Sequence, residues 1–567
     1  MAHPIACALG MCLFHVSMAH AQQALDAGAL QRNLENQLPP ASPLELKEPV
    51  PALPETLMPA KGETVVTVSR FEIAGVHRID NSQLQEVLQP FLNRPLTLDD
   101  LQQACDAIEK LYRIRGYLAH ATVPPQTVQD GVLTLAITEA ILGAVLLDTP
   151  EGESRLSAER AARYITWANP TGQDLNLNAI TRAITLLGEV PGVSVTSSME
   201  SGTQDGETNL RLALKDTKAY TATIEANNNG SRSTGVPQTL LQATFNNPLG
   251  YGDQFTANGI YSQGSSYTQA AYYFPVLPNG LRGGLSGSNM DYRNVSGYQA
   301  NGGYGAATTM SASLAYPVIR SPEGNANATL RYDRKTYLNL VSATDTISSS
   351  YHLHNIYLGL SGNRYDQHLG GGMNSGQASL VVGHLQRQNN NPSNFGAYTP
   401  NRFLKLSLSG SRVQTVEPGV SKVLISVSTQ LANQNLNSAE QFFLGGPYGV
   451  RAYPLAQGGG SQGAQATVEY QHNLPDDLVA IAFVDTGIVQ QYVHTYPNWQ
   501  GNTHAKNSYS LHGAGIGFKW NYLGLSLAVT VAWKIGKNPL HNQLGQVVDV
   551  DNRTTQPRGW LTASYSF

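Results

Sequence analysis

Three short patterns carry residue types that can do chemistry. Gly459-Gly460-Ser461-Gln462-Gly463 matches G-x-S-x-G, which in hydrolases places a nucleophilic serine on a strand-to-helix elbow. Here the pattern follows Gln457-Gly458 in a glycine-rich stretch and precedes an alternating segment at residues 464–470, so the helix an elbow needs is missing. His352 and His354 stand two apart on one expected strand face, a spacing that can start a metal site but has no third ligand nearby in sequence. Lumen-facing or surface histidines are the competing reading. Gly513-Ala514-Gly515-Ile516-Gly517 imitates a nucleotide loop inside an alternating strand, where small residues make room for neighbours. Neither a G-x-x-x-x-G-K-[ST] phosphate loop nor an H-E-x-x-H zinc helix occurs. No catalytic, cofactor-binding or metal-ligating set is expected, and the chain reads as a non-enzyme.

Two other segments put charge where charge is expensive. Gly445-Gly446-Pro447-Tyr448-Gly449-Val450-Arg451-Ala452-Tyr453-Pro454 lies in a connection of roughly 27 residues, a length usually reserved for functional or disordered loops. Ile481-Ala482-Phe483-Val484-Asp485-Thr486-Gly487 places an acid in an otherwise apolar strand. With Phe483 facing outward, Asp485 shares its parity, so a bulge or an inverted face must resolve the conflict. Arg451 and Asp485 either pair inside a lumen, little screened by water, or stand apart as a loop arginine and a strand-end acid.

The elements that hold these residues follow from composition and periodicity. Only 13% of the 567 residues are charged, about half the globular average of ~25%, and the formal charge is -4. That balance excludes a nucleic-acid binder held by phosphate contacts. Cys7, Cys12 and Cys105 are too few for a disulfide framework. An apolar stretch from Ile5 to Val16 and the Ala19-His20-Ala21 pattern predict a signal peptide over residues 1–21, with a hydrophobic anchor as the alternative because no Lys or Arg precedes it. No later run of about 18 apolar residues exists. Residues 22–38 read as a short helix weakened by Gly28, and residues 39–63 as a proline-rich linker. Seven prolines between 39 and 59 make that linker semi-rigid, with a reach on the order of 60–75 Å.

Residues 64–140 read as a strand–helix–helix–strand unit in which Thr97 caps the second helix and Cys105 is a small core hydrophobe. A second such unit spans residues 141–217. From residue 218 to the end the texture is period-2 alternation. Leu523, Leu525, Leu527, Val529, Val531, Trp533 and Ile535 form one apolar face, and small or polar residues form the other. Segments of 9–13 residues fit tilted membrane strands, and about sixteen of them lie between Tyr220 and Phe567. The expected fold is a transmembrane β-barrel of about 16 antiparallel strands behind two small α+β modules. Its second face suits a wet lumen. The last strand ends with Tyr565 and Phe567 on the lipid face.

These residues resemble the outer-membrane transporters of two-partner secretion. The first module is similar to polypeptide-transport-associated (POTRA) modules in Tyr112-Arg113, Gly116-Tyr117, Pro125-Gln126, Gly131-Val132-Leu133 and Glu139. The second is similar in Leu186-Leu187, Pro191-Gly192-Val193 and Gly206-Glu207-Thr208-Asn209-Leu210. Val450-Arg451-Ala452-Tyr453 resembles the family's V-R-G-Y/F loop, with Ala452 where glycine is usual, and Phe483-Val484-Asp485-Thr486-Gly487 resembles its F-x-D-x-G strand. Glu139-Ala140 likewise departs from a common Glu-Gly. If position 452 needs a positive φ, alanine would strain it.

The resemblance implies a Gram-negative outer-membrane pore with its POTRA modules in the periplasm. It implies export of a large β-rich exoprotein of haemolysin or adhesin type without ATP. The N-terminal helix would plug the lumen, and Arg451 would pair with Asp485. Implied partners are the exoprotein, outer-membrane lipid, periplasmic chaperones and the barrel-assembly machinery, with no nucleic acid and no cofactor. A factor that inserts other barrel proteins into the membrane is the alternative function.

Overall fold

The computed structural model describes residues 25–38, 66–128, 130–148, 154–295, 302–321, 323–388, 391, 398–500, 506–537, 547, 549–551 and 557–567. The expected signal peptide and proline-rich linker lie outside the described residues.

The first element is a nine-residue helix, α1 (Ala27–Glu35), capped by Asp26, whose side chain accepts from the Ala29 amide. Leu25 and Asp26 are not helical, so this helix is shorter than its sequence outline. The first module then runs β1 (Arg70–Ala74), α2 (Asn81–Leu88), α3 (Leu98–Ile114), β2 (Ala119–Thr122) and β3 (Val132–Glu139). Its sheet has the order β1-β3-β2, with β1 parallel and β2 antiparallel to β3. The strand β2 adds to the expected strand–helix–helix–strand plan. Ala119-His120-Ala121-Thr122 has a single β-branched residue, which leaves little propensity signal.

Thr97 and Asp100 form a reciprocal capping box at the start of α3. Leu101, Ala104, Cys105, Ile108 and Tyr112 bury the face that packs on the sheet. Burial pushes the Cys105 thiol up to about 11, with the nearby Glu109 and Asp106 charges adding to the shift. It is a protonated core residue. The second module repeats the plan with β4 (Ile141–Leu147), α4 (Ala158–Ala168), α5 (Leu177–Gly188), β5 (Val193–Ser201) and β6 (Glu207–Asp216), in sheet order β4-β6-β5.

Sixteen antiparallel strands close into one barrel. They are β7 (Tyr220–Asn227), β8 (Gln238–Asn246), β9 (Gln254–Ser262), β10 (Ser265–Pro275), β11 (Arg282–Arg293), β12 (Gly303–Ser321), β13 (Gly324–Val341) and β14 (Thr346–Asp366). The second half is β15 (Gly372–Arg387), β16 (Arg402–Glu417), β17 (Ser421–Ala432), β18 (Gln462–Asn473), β19 (Leu478–Gln490), β20 (Ser508–Tyr522), β21 (Leu525–Ile535) and β22 (Arg558–Ser566). β22 pairs with β7, which removes every sheet edge from the lipid.

The alternation now has a direction. On β16, Leu404 and Leu408 are exposed to the membrane while Lys405 between them is buried in the lumen. On β21, Val529, Trp533 and Ile535 face out. At the end of the chain, Tyr565 and Phe567 lie on the outer face with ring centroids 5.9 Å apart, and Phe567 and Ala222 exchange backbone hydrogen bonds across the closing pair.

The second module grips one end of the barrel. Arg320 of β12 pairs with Glu189 at 2.6 Å, and Arg155 bonds Asp216 at 2.8 Å and the Asn246 carbonyl at 2.6 Å.

Candidate functional site

The connection 433–461 folds back into the lumen, and its tip is built by local hydrogen bonds. The Val450 amide donates to the Leu444 carbonyl at 2.7 Å, and the Tyr453 amide closes a turn onto the Val450 carbonyl at 3.0 Å. Gly449 approaches so near the Leu444 carbonyl that a Cβ there would sit 2.0 Å from its oxygen. Ala452 sits in this turn without a positive φ. Alanine therefore fits where the family usually has glycine, and Gly513 on the facing strand leaves the room: a Cβ on Gly513 would stand 2.7 Å from that of Ala452.

The turn presents Arg451 to the barrel wall. Its amide and Nε donate to Asp485 Oδ2 at 3.0 Å each, and Nη2 donates to Asp485 Oδ1 at 2.9 Å. Nη1 donates to Glu469 Oε2 of β18 at 2.7 Å. The guanidinium also lies 3.3 Å over the Phe483 ring centroid. Thr467 donates a further bond to Asp485, and Trp560 of β22 donates from Nε1 to the Arg451 carbonyl at 2.8 Å. The loop tip is thus tied to β18 and β19 by charge-assisted bonds and to β22 by a neutral one, with the Asp485 side chain 1% exposed.

The parity conflict at Asp485 resolves by inversion. Pairing runs without a break through β19, so there is no bulge. Phe483 and Asp485 are buried in the lumen, while Val484 and Ile488 face lipid. Gly487 shares the inward face, and a Cβ there would meet Leu444 of the loop at 2.5 Å. Gly515 gives similar room to the Phe483 ring, at 2.4 Å. Val450, Ala452, Tyr453 and Phe483 bury together with Leu444, Val489, Tyr509 and Leu511. The structure therefore brings together the loop residues Val450, Arg451, Ala452 and Tyr453 and the strand residues Phe483, Asp485 and Gly487. Tyr565 and Phe567 lie apart from them on the outer wall.

The sequence reading missed Glu469, whose signal was a lone acid at the inward parity of β18. It also missed a second buried cluster deeper in the same loop. Glu440 pairs with Lys335 of β13 at 3.3 Å and with Lys405 of β16, and accepts from Asn355 of β14 at 2.8 Å. Lys405 was visible as the one charge between Leu404 and Leu406. Nothing near Glu440 in sequence marked its partners.

Against this loop stands α1, inside the barrel. Ala27, Leu30 and Leu34 pack on inward-facing Tyr267, Met290, Tyr292, Tyr337 and Tyr351. The lumen is not uniformly wet: its wall is aromatic where the apolar stripe of α1 lies. Polar contacts are few. The Ala27 amide donates to Asn339 Oδ1 at 2.8 Å, Gln31 Nε2 to Thr309 at 2.8 Å, and Arg32 to Gln430 at 3.2 Å. Gly28 lets the turn Ser438–Glu440 come close, since a Cβ there would lie 2.8 Å from that of Ala439.

The patterns that suggested catalysis have other uses. Ser461 is fully buried, its hydroxyl donating to the Gln491 carbonyl and accepting from the Leu436 amide, both at 3.0 Å, and a strand follows it. His352 and His354 lie on the outer face of β14, bonded to Thr336 and Tyr332. Among the described residues no group of three His, Cys, Asp or Glu is placed to hold a metal.

A family model described as haemolysin secretion/activation protein ShlB/FhaC/HecB matches residues 206–520, more than half of the chain, and a ShlB-type POTRA domain model matches residues 66–140. The chain belongs to the ShlB/FhaC/HecB family. The heme/hemopexin transporter protein HuxB of Haemophilus influenzae (strain 86-028NP) is 23% identical over 94% of this chain and 95% of its own length. Outer membrane transporter CdiB of Dickeya dadantii (strain 3937) is 26% identical over 78% of each chain. The solved structure of CdiB from Escherichia coli shares the fold, with a TM-score of 0.70 at 21% identity, covering 92% of this chain and 94% of that one. This ShlB-type protein is an outer-membrane transporter of two-partner secretion, with its modules in the periplasm, and it exports a partner exoprotein. The family match decides against the barrel-insertion alternative.

Proposed function

We propose that this protein exports a large β-rich exoprotein of haemolysin or adhesin type, as an extended chain, through a lumen that α1 closes at rest. The observation that carries this reading is the contrast inside the barrel: α1 fills the lumen on single hydrogen bonds to neutral groups, while the loop beside it is fastened by a buried ionic network. A proline-rich linker long enough to exceed a bilayer lets α1 leave without unfolding the modules. Arg451, held by Asp485 and Glu469, keeps the loop against the wall so that the conduit stays open once α1 has gone.

Capture of the partner belongs to the modules. In the second module β5 is an edge strand, pairing with β6 on one side only, and it is largely exposed from Ser194 to Ser201. Its free backbone groups suit addition of an extended segment of the partner as a further strand. Assembly of the barrel by periplasmic chaperones and the insertion machinery is part of the same reading. No energy-coupling residue is assigned; folding of the partner outside the cell drives transport.

The test is a two-plasmid export assay in cells lacking related transporters, one plasmid carrying this chain and the other the large exported protein encoded beside it. Export only when both are present supports the reading. Absence of export, with altered abundance of other outer-membrane barrels, overturns it.

A further inference from the structure

The outer wall carries a feature that export does not use. Arg334 of β13 lies opposite His354 of β14, His354 opposite His384 of β15, and His384 opposite Arg402 of β16. Four basic side chains thus stand in one unbroken row across four neighbouring strands, spanning about 14 Å at ~4.8 Å per step. All four are on the outward face: Arg334, His384 and Arg402 are exposed, and His354 is half-buried. The neighbouring row on the periplasmic side is apolar and equally aligned, with Tyr332 opposite Ile356, Ile356 opposite Val382, and Val382 opposite Leu404. The basic row therefore follows directly on an apolar one.

It does so on the extracellular side. The second module holds the other end of the barrel through Arg320 and Glu189, next to the first residues of β13. Arg402 is the first residue of β16 as that strand descends from an extracellular connection. Cations on the outer wall of a barrel are costly at the membrane midplane and tolerated only near the interface. No acid occupies an outward position within two residues of the row on these strands. Among the described residues no carboxylate pairs with Arg334 or Arg402.

We propose that Arg334, His354, His384 and Arg402 bind the phosphate groups of lipopolysaccharide in the outer leaflet. The leaflet that meets this edge of the barrel is built of lipid A, a disaccharide with a phosphate at either end and acyl chains below. Arginine forks grip phosphate oxygens in pairs. Tyr332 OH lies 2.8 Å from His354 Nδ1, which fixes the ring and leaves Nε2 facing out. The aligned row of Tyr332, Ile356, Val382 and Leu404 receives the acyl chains.

The experiment compares full-length wild type with an Arg334→Gln/Arg402→Gln double variant, purified from one Gram-negative host and checked by heat-shifted migration on gels to be folded. Native mass spectrometry counts retained lipopolysaccharide, and nanodiscs containing bisphosphorylated lipid A, dephosphorylated lipid A or phosphatidylglycerol identify the recognised group. Wild type is expected to retain lipopolysaccharide, and the double variant at least fivefold less. An Arg334→Lys/Arg402→Lys variant should recover most of it. Dephosphorylated lipid A, phosphatidylglycerol and inorganic phosphate should each fail to displace it. Equal retention by the glutamine variant, or displacement by phosphatidylglycerol as effective as by lipid A, overturns the proposal.

Discussion

Two pieces of chain occupy the lumen of this barrel, and they are held in opposite ways. The tip of the loop 433–461 puts a buried arginine against two carboxylates on adjacent strands, and glycines at 487 and 513 are cut away to receive it. Helix α1 rests on an apolar stripe and a handful of single hydrogen bonds, with no ion pair to the wall among the described residues; Arg32 donates to neutral Gln430, Asp26 accepts from Ser438, and Gln31 Oε1 is left buried with no partner. Breaking a buried ion pair by removing one member costs about 3–5 kcal/mol, because the survivor is stranded. A neutral hydrogen bond contributes about 0.5–1.5 kcal/mol net. The difference teaches which piece is a fixture and which is a removable part.

The largest effect should follow from Asp485→Ala. It leaves the Arg451 guanidinium buried with only Glu469, and frees the backbone amide of Arg451 as well. Export in the two-plasmid assay should fall at least tenfold while heat-resistant migration of the barrel persists. Arg451→Ala should do the same. Undiminished export in both variants would show that the loop is not a fixture, and the comparison would fail.

Deleting residues 25–38 comes next. With α1 gone, conductance in planar bilayers should rise severalfold, whereas the loop variants should change it less. An unaltered conductance would remove α1 from the role of plug. Combining the deletion with Asp485→Ala sharpens the point: α1 touches the loop at Ser438–Glu440 and Asp485 holds its tip, so any departure from additivity measures how far the two are coupled.

Much of the architecture was legible before any coordinates. Sixteen strands can be read because lipid enforces an apolar residue at every second position, as at Leu404, Leu406 and Leu408, and one register slip would turn that face inward. What was not legible depends on pairing at a distance. Whether Arg451 meets Asp485 turns on a face that Phe483 seemed to claim for lipid, and only continuous pairing of β18 through β20 settles the inversion. Glu440 finds Lys335 and Lys405 across 105 and 35 positions, and no local period marks such a meeting. Gly28 reads in sequence as a flaw in a helix, because glycine lowers propensity by about 1 kcal/mol. In space it is the point where Ala439 can approach.

That residue supports a smaller and more discriminating prediction. Gly28→Val adds a Cβ that would lie 2.8 Å from that of Ala439 and 3.0 Å from the Tyr351 hydroxyl oxygen. Valine helps the isolated helix slightly relative to glycine, so any loosening must come from the lost fit and not from lost helicity. The channel should open more often than wild type yet less fully than the deletion, with export unchanged or modestly raised. If Gly28→Val leaves conductance at the wild-type level, the close seat against the turn Ser438–Glu440 is not what holds α1.

Asn339→Leu gives the finest cut. Asn339 Oδ1 accepts from the Ala27 amide and from the Tyr292 hydroxyl, while its Nδ2 donates to Ser349. Leucine keeps the volume and strands a helix N-terminal donor that cannot reach water, at a cost of about 1–3 kcal/mol shared between helix and wall. Part of that cost vanishes once α1 leaves, because the Ala27 amide is then hydrated. The Tyr292 and Ser349 hydroxyls face the vacated lumen and are hydrated with it. The substitution therefore penalises the plugged state more than the open one, and single-channel records should show longer openings at unchanged unitary conductance. A change in unitary conductance with no change in open time would mean that Asn339 shapes the conduit instead of holding the helix.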